Sequence, residues 1–248
     1  DSNAGDVNGD GIDDVIVGAY GSGDLATANG RSYVLFGRTT PFAATLALGS
    51  IDGVTGFRID GEQGDQSGFT VSAAGDINGD GLADLLVTAP IASDGNDAGS
   101  TFVVFGRSTP FPATLAVGSL DGSNGFRIDG VAGYDYAGRA ASAAGDINGD
   151  GLDDLVIGAP FAGSNGDFSG RSYVVFGRST PFAATLALGS LDGSNGFRLD
   201  GVATGDQSGR SVSAAGDING DGHDDLIIGA YRADTNGADA GASYVVFG

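Results

Sequence analysis

The chain repeats itself at a nearly constant interval. The string GD(V/I)NGDG begins at Gly5, Gly75, Gly145 and Gly216, at spacings of 70, 70 and 71 residues, and YVVFG or a close variant recurs at the same period. A fixed period of this kind is typical of repeat architectures, in which each unit packs against its neighbours. We expect a single domain over residues 1–248, with approximate repeats at 1–60, 61–130, 131–201 and 202–248.

Each full repeat contains about four short apolar runs separated by turns rich in Gly and Asp. In the third repeat these runs are approximately Gly138–Ala144, Asp154–Ala159, Ser172–Phe176 and Gly196–Asp200. They have the length of β-strands, and consecutive apolar residues at 155–157 indicate a strand covered on both faces. The predicted fold class is all-β, a β-propeller of four-stranded antiparallel blades.

Composition argues against several classes of function. The formal net charge is −21, all 11 basic residues are Arg, and Glu62 is the only Glu. Such acidity disfavours nucleic acid and anionic membranes as partners, and no apolar stretch is long enough for membrane insertion. With no Cys, no Lys and a single His, Cys–His, Ser–His and Ser–Lys catalysis lack their residues. We therefore expect no enzyme activity and no catalytic residues.

The two ends of the repeat pattern predict incomplete first and last blades. The first repeat has only the stub DSNAG where a first strand is expected, and the last stops at Phe247–Gly248, after its third strand. Open sheet edges favour pairing with other strands. We expect either a window cut from a longer propeller or chain ends that pair with further blades or with another chain.

Each GD(V/I)NGDG string continues into the pattern D-x-N-x-D-G-x-x-D. Side-chain oxygens at positions one, three, five and nine, a backbone carbonyl at position seven and Gly at position six have the spacing that wraps Ca²⁺. The sequence predicts about four Ca²⁺ ions, one per repeat, and no other cofactor. The predicted ligands are Asp6, Asn8, Asp10, Ile12 and Asp14; Asp76, Asn78, Asp80, Leu82 and Asp84; Asp146, Asn148, Asp150, Leu152 and Asp154; and Asp217, Asn219, Asp221, His223 and Asp225.

Two simpler interpretations of these loops explain less. A plain Asx-rich turn needs one or two such residues, not three Asp and one Asn in four copies. An EF-hand needs a bidentate Glu at position twelve, where this chain has Val or Ile inside the following apolar run. Position eight is Asp13, Ala83, Asp153 and Asp224, so Ala83 shows that a ligand is not required there. His223 occupies position seven, where Leu or Ile stands elsewhere, so its backbone is the expected ligand.

The strings DINGDGLDDLVIGAP and YVVFG closely resemble FG-GAP repeats, the calcium-bearing blades of integrin α-subunit β-propellers and their bacterial relatives. The resemblance covers essentially the whole chain and implies that each acidic loop joins the first and second strands of a blade. The GAP element departs from the pattern as Gly-Ala-Tyr at 18–20 and 229–231 and as Thr-Ala-Pro at 88–90. The integrin propeller has seven blades, whereas four are visible here.

We expect a secreted module that is located outside the cell or on its surface and is stabilised by calcium. Its expected function is adhesion or the binding of an unknown protein or glycan. A scaffold domain of a larger secreted carbohydrate-acting enzyme and a passive spacer are the alternatives. A binding site should lie in loops unlike their counterparts, and the most divergent are 130–140 and 231–242. The recurring Arg residues after FG and in GFR suggest structural contacts with Asp, and Phe182 and Leu186 suggest a short extra strand.

Overall fold

A computed structural model describes residues 2–22, 28–92, 96–163 and 165–248. Its strands are β1 (Ser2–Gly5), β2 (Asp14–Ala19), β3 (Arg31–Leu35), β4 (Gly56–Asp60), β5 (Val71–Gly75), β6 (Asp84–Ala89), β7 (Ser100–Val104), β8 (Thr114–Ala116), β9 (Gly125–Asp129), β10 (Ala140–Gly145), β11 (Asp154–Ala159), β12 (Arg171–Val175), β13 (Thr185–Ala187), β14 (Gly196–Asp200), β15 (Ser211–Gly216), β16 (Asp225–Ala230) and β17 (Ala242–Val246). Three-residue 3₁₀ turns lie at Leu48–Ser50, Val117–Ser119 and Leu188–Ser190.

The strands form four sheets, which correspond to the four repeats. Each of the first three blades has four antiparallel strands, in the orders β1-β2-β3-β4, β5-β6-β7-β9 and β10-β11-β12-β14, and the fourth blade contains β15-β16-β17. The first strands of successive blades lie beside one another, as they do around a propeller axis. The predicted all-β propeller fold is confirmed, and the last sheet has three strands, as expected.

The first blade differs from the expectation at its first strand. Ser2–Gly5 is not a stub, because it pairs with β2 in the register Ser2↔Ile16 and Asn3↔Val15. This strand has four residues, whereas β10 and β15 have six. A register shift just before Gly5 recurs before the equivalent glycine of each other blade. The same bulge therefore precedes all four acidic loops.

Short extra strands link the connections of the second and third blades to the preceding blade. β8 pairs parallel with β4, and β13 pairs parallel with β9, which confirms the expected strand around Leu186. Phe182 stacks on Phe126 with ring centres 4.2 Å apart, and the Arg178 guanidinium lies 4.2 Å from the Phe182 ring centre. The Arg residues that follow FG therefore stack on phenylalanine instead of pairing with Asp, because each connection folds its own ring beneath the guanidinium.

The Arg residues of the GFR strings do pair with Asp. Arg127 Nε donates to Asp129 at 2.6 Å, and Arg58 and Arg198 make the equivalent contacts two residues along their own strands. These pairs lie on the outer strands β4, β9 and β14. They are partly exposed, so each contributes modestly to stability.

The core lies between the blades. Every residue of β6 and β11 is buried, as predicted from their consecutive apolar residues. On the outer faces of the first and fourth blades the equivalent residues are open: Val15 is 45% exposed and Ile218 57%, whereas Leu155 and Ile77 are fully buried. Packing of one blade on the next thus supplies most of the apolar burial in this fold.

Candidate metal centre

The four acidic loops occupy the same place in each blade, between its first and second strands. This is the position that the family resemblance implied. Gly75 ends β5 with φ 74°, in the left-handed region that glycine adopts without strain. The bulge and this glycine turn the chain out of the first strand, so that the next residue, the position-one Asp, begins the loop.

The position-one carboxylate organises the backbone of its loop. In the third loop, Oδ1 of Asp146 accepts hydrogen bonds from the backbone N–H groups of Gly149 and Asp150, at 2.7 and 3.0 Å, and Oδ2 accepts from Gly151 at 2.8 Å. The equivalent bonds are present at Asp6, Asp76 and Asp217. The loop therefore curls around one carboxylate.

Positions three and five add two more oxygen-bearing side chains to the same turn. Asn148 Oδ1 accepts from the Asp150 N–H at 2.9 Å, and Asp150 Oδ1 accepts from the Leu152 N–H at 3.0 Å. Asp150 is exposed and Asn148 is partly buried. These short-range bonds fix the side chains at alternating positions, which explains why the loop uses Asp and Asn there instead of the longer Glu and Gln.

The position-nine Asp ties the loop to the FG motif of its own blade. Asp154 is fully buried; its Oδ2 accepts from the Ile147 N–H at 3.0 Å, and its Oδ1 accepts from the Gly177 N–H at 2.8 Å. Gly177 is the glycine of the third FG string. The same two bonds occur at Asp14, Asp84 and Asp225, so the two repeated strings of the sequence meet at this carboxylate.

Burial raises the pKa of the position-nine carboxyl in the first three loops. The pKa of Asp154 rises to about 7, mainly by desolvation; Asp150 and Asp146 add to the rise by repulsion, and the N–H donors of Gly177 and Ile147 oppose it. The same causes bring the pKa of Asp84 to about 8 and that of Asp14 to about 6. The loops therefore hold several carboxyl groups close enough to repel one another.

The donor set suits a hard cation, although the side chains fold onto their own backbone in this structure. Within the described residues, no group of three or more His, Cys, Asp or Glu side chains is arranged to hold a metal ion. The side chains at positions one, three, five and nine of each loop nevertheless carry oxygen. Among the described residues, their carboxylates accept hydrogen bonds from backbone N–H groups and from the position-three Asn, and not from Arg. Carboxylates that repel one another and have no Arg partner among the described residues fit Ca²⁺, which takes six to eight oxygen ligands. The metal role of the predicted residues stays a prediction.

Position seven has a packing role that the sequence interpretation missed. The side chains of Leu82, Leu152 and His223 lie against the position-four glycine of the preceding loop; a Cβ added at Gly79 would stand 3.0 Å from a Leu152 methyl group. The His223 ring fills the same place against Gly149. This supports the expectation that a position-seven residue could offer an ion only its backbone carbonyl.

Position eight also has a role that was missed. Asp153 Oδ2 accepts a hydrogen bond from the Asp76 backbone N–H of the preceding loop at 2.7 Å, and Asp224 Oδ2 accepts from the Asp146 N–H at 3.0 Å. We call each of these contacts a latch. The sequence signal for it is the adjacent Asp-Asp pair at positions eight and nine, which a single calcium ion does not need.

The chain forms four blades, each of them a β-sheet with an acidic loop at the same end. This arrangement defines the protein as a β-propeller repeat protein. The chain belongs to the FG-GAP repeat family, whose model matches residues 2–35, 67–104, 137–175 and 208–246. The recognition made from the sequence strings is confirmed. Within the parts of the chain that the structure describes, no helix is long and apolar enough to cross a membrane.

Integrin alpha chains are among the curated relatives. The chain is 35% identical to integrin alpha-4 of Xenopus laevis over 175 residues, which cover 69% of this chain and 15% of that protein. It is 34% identical to integrin alpha-PS5 of Drosophila melanogaster over 182 residues, 70% of this chain and 16% of that one. With integrin alpha-V of Gallus gallus the identity is 29% over 238 residues, 93% and 20%. The chain spans about a fifth or less of these relatives.

Proposed function

We propose that the protein is a calcium-stabilised, extracellular β-propeller module for adhesion or ligand binding. The observation that carries the proposal is the set of four equivalent acidic loops, in which repelling carboxylates form no ion pair with an Arg of the described residues. The similarity to integrin alpha chains supports a binding role over catalysis, and we expect no enzyme activity from this chain. The near-identity of the blades argues in the same direction, because an active site requires one blade to differ.

Calcium would act on stability by binding only the folded loops. At about 1 mM Ca²⁺ and a Kd of about 0.1 mM, typical of extracellular modules, each site would add roughly 1.4 kcal/mol. Four independent sites would add about 5–6 kcal/mol, comparable with the net stability of a small domain. The ion would thus be structural: it would neutralise the loops and fix the start of the second strand in every blade.

The experiment is thermal unfolding of the full chain with excess Ca²⁺ and after removal of divalent ions. We expect the melting temperature to fall by tens of degrees without calcium and to recover when calcium is restored. Mg²⁺ at the same concentration is the control for ionic strength. It should not replace Ca²⁺, because this smaller ion demands near-octahedral geometry and gives up its waters reluctantly. An unchanged melting temperature would contradict a structural role for calcium.

The alternatives, a scaffold in a carbohydrate-acting enzyme and a passive spacer, predict different binding behaviour. A spacer has no ligand, so screening the calcium-loaded chain on peptide and glycan arrays separates it from a binding module. Hydrolysis of a polysaccharide by this chain alone would show that a carboxylate pair acts on glycans, which we do not expect.

A further inference from the structure

Two of the eleven Arg residues differ from the other nine in their contacts. Six form ion pairs with Asp: Arg31, Arg58, Arg127, Arg171, Arg198 and Arg232. Three lie over the phenylalanine of their own connection: Arg38, Arg107 and Arg178. Arg139 and Arg210 remain, and neither forms an ion pair with any carboxylate of the described residues. In a chain of formal net charge −21, two guanidinium groups that form no ion pair with the described residues are unexpected.

These two residues occupy equivalent positions in neighbouring blades. Arg139 directly precedes β10 and Arg210 directly precedes β15, and these two strands pack side by side. The acidic loops follow the opposite ends of the same strands. The guanidinium groups therefore lie on the side of the propeller away from the acidic loops. In the second blade, the residue equivalent to Arg139 and Arg210 is Phe69.

Aromatic rings surround the pair. The Arg139 guanidinium lies 4.8 Å from the centre of the Phe69 ring, which is 5.3 Å from the Tyr20 ring. The Arg210 guanidinium lies 5.9 Å from the centre of the Tyr231 ring. Tyr20 is 47% exposed and Tyr231 51%, so large rings face solvent beside two cations. Arg139 and Arg210 themselves are partly buried. Tyr and Arg are enriched among the residues that dominate binding energy at interfaces.

The charges of the two Arg residues act on each other across the adjacent strands β10 and β15. The pKa of Arg139 is lowered, first by desolvation and then by the Arg210 charge, with smaller opposing contributions from Tyr136, Tyr20 and Tyr231. Arg139 belongs to the divergent segment 130–140, and Tyr231 begins the divergent segment 231–242. The two segments whose sequences differ most from their counterparts thus contribute to one surface.

We propose that Arg139 and Arg210 form a binding site for an isolated Asp or Glu side chain of a protein ligand, with Tyr20, Phe69 and Tyr231 packing against its neutral neighbours. A planar guanidinium presents paired donors that match a carboxylate. The overall negative charge repels polyanions, which favours a single carboxylate in a neutral segment over an acidic polysaccharide. The inference rests on the proposed binding function and names the ligand class of that module.

The test uses the full calcium-loaded chain and a blocked peptide, acetyl-Gly-Gly-Phe-Glu-Phe-Gly-Gly-amide. Binding is followed by NMR shifts of the Arg Nε–H and Tyr ring resonances. We expect the shifts to localise at Arg139, Arg210 and the adjoining rings. The peptide with Gln in place of Glu, and the variants Arg139→Gln and Arg210→Gln, should each bind about tenfold more weakly, the loss of roughly one charge-assisted bond.

Arg198→Gln is the matched control, because Arg198 is paired with Asp200 on β14 and should leave binding unchanged. Melting temperatures of all variants confirm that each is folded. Equal binding of the Glu and Gln peptides, full binding by the Arg139→Gln and Arg210→Gln variants, or no shifts at about 10 mM peptide would overturn the inference. Such a result in a chain that still needs calcium for stability would leave the calcium proposal intact.

Discussion

Two junctions between blades share a backbone contact but differ in one side chain. They are the junction of the second blade with the third and the junction of the first blade with the second. Asp153 donates its N–H to the Asp76 carbonyl at 3.3 Å, and Ala83 donates to the Asp6 carbonyl at 3.2 Å. Of these two residues, only Asp153 also accepts a hydrogen bond with its side chain, from the Asp76 N–H at 2.7 Å. The latch is therefore an addition to a contact that already exists, which makes the first junction a natural deletion variant of the second.

This difference separates two roles within one acidic loop. Side-chain oxygens at positions one, three and five accept hydrogen bonds within their own loop, whereas the position-eight carboxylate accepts one from the loop of the preceding blade. Asp224 makes the latch at the third junction, so two of the three junctions within the described chain carry it. The loop set is thus both a candidate row of ion sites and a row of contacts between blades.

The largest effect should come from removing the carboxylate that anchors a latched loop. Asp154→Ala leaves the buried N–H groups of Ile147 and Gly177 without an acceptor, and each unsatisfied group costs about 1–3 kcal/mol. We expect a loss of about 2–5 kcal/mol, measured by urea unfolding without calcium so that ion binding does not contribute. Its neighbour Asp153→Ala should lose far less, and equal losses would contradict this assignment.

Acidification should stabilise the calcium-free protein. Burial raises the pKa of Asp84 to about 8, of Asp154 to about 7 and of Asp14 to about 6, all from 3.8. The folded protein therefore holds protons that the unfolded chain has released, so its stability rises as pH falls through these values and is lost as pH rises through them. Each carboxyl contributes up to about 1.4 kcal/mol per pH unit in that range.

The calcium-loaded protein should show the opposite trend, because the ion requires the same carboxylates deprotonated. Melting temperatures between about pH 8 and pH 6, with and without calcium, compare the two. The difference between the loaded and calcium-free proteins should shrink as the pH falls. A difference that stays constant across this range would mean that the buried carboxyl groups do not take part in binding the ion.

The repeats made most of the fold predictable. Strand Asp154–Ala159 was predicted with its observed bounds, because an acidic turn and a run of apolar residues mark both its ends. Pairing of β13 with the preceding blade was not predictable, since a three-residue parallel strand leaves no periodic signal. The latch and the Arg139 cluster also depend on which blade lies beside which, and one repeat read alone holds no information about its neighbour.

A smaller loss should follow from removing a latch. In Asp153→Ala the Asp76 N–H loses its acceptor at a part-buried position, which costs about 1–2 kcal/mol. Asp13→Ala is the matched control, because Asp13 lies on the outer face of the first blade, where its carboxylate contacts Asn3 at 3.4 Å. Urea unfolding of both variants measures the difference, and a control that loses as much as Asp153→Ala would show that the effect is not a junction property.

The smallest effect, and the one of opposite sign, should come from adding a latch to the first junction. In Ala83→Asp the new carboxylate can reach the Asp6 N–H as Asp153 reaches Asp76, because the backbone contact is already in place and the facing residue is again a glycine, Gly5. We expect a gain of about 0.5–1 kcal/mol, a typical net hydrogen bond, seen as a higher urea midpoint with calcium present. Ala83→Asn tests the cause: it supplies the same acceptor without adding charge beside the loop. If both variants gain stability, the hydrogen bond is responsible; if Ala83→Asp is no more stable than the parent chain, the junctions differ for a reason other than the latch.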